Sequence, residues 1–234
     1  MTLLIIIGIV VALIILLYFR LGDFLTKDHP GWLTPPIRRF DKQDKRHPPP
    51  ANSILCTGSS IMYFWRTIED DLSPLPVINR GIAGAKINEL VYHIDRLVFF
   101  YKPRAVLLYA GSNDIQGKKP KSPDQVLDGF REFTKRIQAK QENILIYYIS
   151  IMPSPARMRL KNWPSVQAAN EMIEEFCKTD ERLKFIDTTE AFIDSEGKAI
   201  PEYFKIDNIH IKAIGYEKWT SIVKPILIHD FNQA

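Results

Sequence analysis

The chain has 234 residues, 46% hydrophobic and 25% charged, the proportions of a folded globular protein rather than a disordered one. Its net charge of +4 is mostly local, because residues 20 to 50 hold seven Lys/Arg against four Asp. The near-neutral remainder lacks the electrostatic footprint of a nucleic-acid binder. Two cysteines, Cys56 and Cys177, neither in a CxxC pair, argue against a zinc site or a disulfide framework.

The chain opens on Leu3–Phe19, seventeen residues without a charge or a strongly polar side chain. As a helix this stretch extends about 26 Å, the lower limit for crossing a hydrocarbon core. A cleavable signal peptide would want a basic start and a small-residue cleavage site, and neither is present. The expectation is a single uncleaved anchor over residues 1–21 and a membrane location. Arg20, Lys27, Arg38 and Arg39 all follow the span, a bias toward keeping the next segment cytoplasmic that leaves the side open.

Six of the sixteen prolines fall between residues 21 and 51. Proline fixes φ and donates no backbone hydrogen bond, so residues 22–51 are expected to form a stiff, extended, basic linker. Trp32 and Phe40 would touch either the membrane interface or the domain surface. The cation surplus suits anionic lipid headgroups as well as it suits a solvated linker.

From residue 52 onward a regular alternation predicts one domain reaching residue 234. Apolar runs at 53–57, 76–79, 104–110, 144–150 and 183–187 read as buried strands. Helical spacing falls at about 64–72, 87–100, 123–140, 165–179 and 213–229. Ser122, Pro123 and Asp124 make an apt helix start. Continuous apolar strands alternating with helices indicate a three-layer α/β/α sandwich of about five parallel strands.

In such a sheet ligands bind beyond the carboxyl ends of the strands. The loops there carry Gly58-Ser59-Ser60, "NRGIAGAK" with Gly84, "GSND" with Asn113, "MPSPAR" with Arg157, and "DNIH", Asp207 to His210. A serine just before a helix is, taken alone, as readily a cap as a nucleophile. A nucleophilic serine needs a base, and the base an orienting carboxylate. Of five histidines, His210 alone falls in a loop at this edge, with Asp207 three residues before it. The backbone N–H groups of Ser60 and Gly84 and the side-chain amide of Asn113 suit an oxyanion.

"GSS", "NRGIAG", "GSND" and "DNIH" resemble the four blocks of the SGNH hydrolases, also called GDSL-type esterases, over about residues 52 to 230. The resemblance implies a flavodoxin-like fold, Ser60 as nucleophile, Gly84 and Asn113 as oxyanion donors, and Asp207 and His210 as the rest of a triad. The chain departs from the pattern at Ser59, where the family usually has Asp, and at Asn208, where it usually has Gly. Ser59 and Arg157 are candidate substrate contacts, each with a bland alternative as a loop or surface residue.

The expected activity is therefore hydrolysis of a small-molecule ester by a membrane-anchored serine esterase. Acyl or acetyl esters, lysophospholipids and acetylated carbohydrates are the candidate substrates. No cofactor or metal is implied. The alternatives are a non-catalytic module binding a small ligand at the same edge, and a nucleotide-binding domain. The latter is disfavoured because "GIAGAK" is neither G-x-G-x-x-G nor a P-loop.

Overall fold

A computed structural model describes residues 30–117 and 119–232. The strands β1 (Ile54–Gly58), β2 (Val77–Gly81), β3 (Ala105–Tyr109), β4 (Leu145–Ile149) and β5 (Leu183–Ile186) are parallel and lie in the order β2-β1-β3-β4-β5. In chain order the helices are α1 (Thr34–Arg46), α2 (Ser60–Phe64), α3 (Ile68–Asp71), α4 (Ile87–Tyr92), α5 (Ile94–Leu97), α6 (Pro123–Lys140), α7 (Pro155–Arg159), α8 (Trp163–Cys177) and α9 (Ala213–Asn232).

Alternate strand residues feed two cores. Leu55, Val106, Leu108 and Ile146 pack toward α1, α4, α6 and α8. Ile54, Cys56, Leu107 and Tyr147 pack toward α2, α3 and α9. This is the expected three-layer α/β sandwich. The long helix α6 starts as expected: Ser122 Oγ accepts the Gln125 N–H, and Gln125 Oε1 accepts the Ser122 N–H. Such a cap contributes about 1 kcal/mol.

Three expectations need correction. The helix anticipated over 64–72 is two short ones, α2 and α3, and the one over 87–100 breaks at His93 into α4 and α5. Arg136 on α6 takes the Val91 carbonyl near that break (3.2 Å).

The larger correction concerns the segment expected to be an extended linker. Residues 30–33 form a 3-10 turn and Thr34–Arg46 an α-helix docked on the domain. Pro35 and Pro36 fall in the first helical turn, where their missing N–H groups have no intrahelical acceptor to lose. Leu33, Ile37, Phe40 and Asp44 are spaced as one helical stripe, and all four are buried. Each of the three apolar residues stabilises the docking by about 2 kcal/mol. The folded unit therefore includes residues 30–46. The run Leu3–Phe19 lies outside the described residues, and among those no helix is long and apolar enough to cross a membrane.

Candidate active site

The strand order reverses direction between β1 and β3, the switch point at which open α/β sheets bind ligands. Gly58 ends β1 there with φ +134°, and a Cβ would stand 1.9 Å from the Tyr109 carbonyl oxygen. Only glycine lets the chain turn so tightly against β3. The next N–H, of Ser59, donates to that carbonyl (2.8 Å) and aims the chain into α2. Ser60 is the first residue of α2, so its N–H has no intrahelical acceptor.

Across the cleft, the loop before α9 delivers His210 and Asp207. His210 Nε2 lies 2.9 Å from Ser60 Oγ, and His210 Nδ1 lies 2.7 Å from Asp207 Oδ2. The other Asp207 oxygen accepts the backbone N–H groups of Ile209 and His210, both at 2.9 Å. Partial burial pushes the Asp207 carboxyl upward. The hydrogen bonds from the His210 ring and the two N–H groups outweigh it and hold Asp207 below the ordinary aspartate range. The Phe64 ring meets the imidazole edge-on at 5.1 Å.

Asn208 has φ +59°. This left-handed conformation suits glycine, and asparagine tolerates it better than most other residues. The carbonyl of Asn208 accepts the Ala156 N–H of α7 (3.1 Å), which braces the loop from behind.

On the opposite side, Gly84 takes φ +84°, and the Asn113 side-chain amide donates to the neighbouring Ala85 carbonyl (3.0 Å). One hydrogen bond thus joins the loops after β2 and β3. Asp114 adds a second tie, because its buried carboxylate accepts the Ile87 N–H and pairs with Lys121 at 2.9 Å. Burial raises the Asp114 carboxyl against the opposing charge of Lys121.

Residues 49–218 match the GDSL-like Lipase/Acylhydrolase family. The chain belongs to this family of ester-bond hydrolases. Its fold is similar to a GDSL-like lipase of Bacteroides thetaiotaomicron, at 22% identity over 83% of this chain and 98% of that one (TM-score 0.72). A lipase/acylhydrolase of Enterococcus faecalis is also similar, at 17% over 75% and 95% (TM-score 0.60). A carbohydrate esterase of family 3 from Talaromyces cellulolyticus matches at 14% over 79% and 100% (TM-score 0.61). No curated protein sequence matches the chain.

Within this GDSL-like hydrolase the structure brings Ser60, His210 and Asp207 together and links the loops of Gly84 and Asn113. Ser59 and Arg157, expected as substrate contacts, are corrected. The Ser59 side chain is wholly buried, with no hydrogen-bond partner for its hydroxyl among the described residues. Arg157 is 1% exposed and donates to the Met152 carbonyl (2.9 Å). It sits under the site beside Tyr109, whose phenol burial pushes up against the Arg157 charge. Arg157 thus braces the loop after β4 from inside.

Two contributors went unassigned at the level of sequence. Asp114 carried a signal, as the last residue of "GSND". Trp32 was legible only as a contact with the membrane interface or the domain surface, since nothing local says that its indole lies 3.1 Å from where a Gly84 Cβ would stand, or that its N–H donates to the buried Glu89 (2.6 Å).

Proposed function

We propose that this hydrolase is a serine esterase working through a covalent acyl-enzyme. The observation that carries the reading is the unbroken chain Asp207–His210–Ser60, with contacts of 2.7 and 2.9 Å. Asp207 fixes the tautomer that carries the proton on Nδ1, leaving Nε2 to accept the Ser60 proton. Ser60 Oγ then attacks the ester carbonyl. The oxyanion formed is stabilised by the N–H groups of Ser60 and Gly84 and by the second N–H of the Asn113 amide. Each such donor is worth about 100- to 1000-fold in rate.

His210 next gives its proton to the departing alkoxide, and the alcohol leaves. Water, deprotonated by the same imidazole, attacks the acyl-enzyme, and the acid is released with Ser60 restored. Acyl or acetyl esters, including lysophospholipids and acetylated sugars, fit this chemistry. Leu3–Phe19 supports a membrane anchor through its apolar run alone, which alkaline carbonate extraction of membranes tests.

A fluorophosphonate probe tests the nucleophile. The full chain and Ser59→Ala should label, and Ser60→Ala should not. Equal labelling of Ser60→Ala, or none of the unaltered chain, would sink the assignment.

A further inference from the structure

A cleft of about 540 Å³ opens beside the catalytic serine, between α1 and the α2–α3 corner over the outer edge of β2. Its lining holds neither Ser60 nor His210, but neighbours the site at two points in the chain. Tyr63 on its wall stands one helical turn beyond Ser60, and Ala83 on its floor precedes Gly84. Trp32 closes its near end against Gly84.

Its charge is uneven. Arg39 reaches it from α1 and Arg66 from the α2–α3 corner, both exposed. Among the described residues neither forms a salt bridge, and the Arg66 guanidinium lies 4.2 Å from the centre of the Tyr63 ring. Arg80, at the floor, is already neutralised by Asp44. Glu69 is the carboxylate on the lining, so the two arginines leave a surplus of one positive charge. The solvent face of α1 adds Arg38, Lys42, Lys45 and Arg46, all exposed. The acids of that helix are spent elsewhere: Asp41 pairs with Arg96, and Asp44 with Arg80 and Arg96.

An aromatic wall with two unpaired guanidiniums suits a partly apolar ligand that ends in a carboxylate or phosphate. We propose that this cleft is the subsite for an anionic group on the substrate, so that the enzyme prefers esters carrying a phosphate or carboxylate to their neutral counterparts. This rests on the catalytic reading above. The positive face of α1 draws such substrates toward the site, an effect that weakens with added salt.

The test compares kcat/KM of the full chain in a non-ionic detergent on two matched pairs. One pair is 4-nitrophenyl hydrogen glutarate against 4-nitrophenyl butyrate, with the anion on the acyl side. The other is 1-acylglycerol 3-phosphate against 1-acylglycerol, with the anion on the alcohol side. The expected result is a preference of about tenfold or more for the anionic member of at least one pair. The pair that shows it identifies the anion's side of the scissile bond and separates carboxylate from phosphate.

Arg39→Gln with Arg66→Gln should collapse the anionic-to-neutral ratio by about tenfold, mainly through KM, and Glu69→Gln should raise it. Equal rates within both pairs, or a double variant that keeps the ratio, overturn the subsite. Failure of the catalytic reading would look different, because Ser60 would then take no fluorophosphonate label.

Discussion

Two aspartates of this chain bind nitrogen-bearing side chains, and they do so to opposite ends. Asp44 is 8% exposed and has every near neighbour committed: Arg80 and Arg96 pair with it, and Tyr101 donates to it at 2.7 Å. Asp207 has a side chain 46% exposed and a single side-chain partner, His210. The first arrangement locks α1 onto the sheet. The second holds the His210 ring against Ser60 Oγ. One carboxylate is buried and fastens a helix; the other is half exposed and, on the proposed mechanism, orients a base.

The comparison breaks most visibly at Asp207. Asp207→Asn keeps the loop's shape but removes the preference for the reactive tautomer, and should cost about 10⁴-fold in kcat. Its exposed contact with His210 contributes little to folding, so the unfolding free energy should move by less than about 1 kcal/mol. A large drop in melting temperature with activity retained would invert the assignment.

Asp44→Ala should do the reverse. It leaves Arg80 buried and unpaired, which costs about 3 kcal/mol, or roughly 10 °C in melting temperature for a chain of this size. Ester hydrolysis per folded molecule should fall far less than in Asp207→Asn.

Acid sharpens the contrast. Burial raises Asp44, but the hydrogen bonds of Tyr101 and Arg96 and the charge of Arg80 outweigh it, so its folded-state pKa lies below the unfolded value. A depressed carboxylate contributes stability that is fully present above the unfolded pKa, about 3.9, and is lost as pH falls through the folded one. Melting temperature should therefore drop as pH falls below about 4, and less steeply in Asp44→Asn.

The smallest effect is expected at Asn208. Replacement by Gly should be close to neutral, and replacement by Ala should cost about 1 kcal/mol for the left-handed backbone. Equal melting temperatures for the two variants would remove the reason for asparagine there.

The readable parts of this fold were local. β1 to β5 announced themselves as apolar runs, and a parallel sheet followed from alternation with helices, though not the strand order. Ser60, Asp207 and His210 could be paired because a parallel sheet presents all its post-strand loops at one edge. The docking of residues 30–46 was hidden by Pro35 and Pro36, which read as helix breakers until their place in a first turn is known. The burial of Ser59 and Arg157 was equally hidden, since a loop position alone does not tell a side chain aimed at solvent from one turned beneath the strands.

The seat of Trp32 has a consequence in light rather than chemistry. Its indole rests against Gly84 and is held by Glu89, whereas Trp65 and Trp219 are sealed in the opposite core. On the proposed mechanism acylation of Ser60 brings a group up to the Gly84 loop, and this should shift the emission of Trp32 more than that of its buried counterparts. The protein thus carries its own optical gauge of site occupancy, one that Trp32→Phe would switch off.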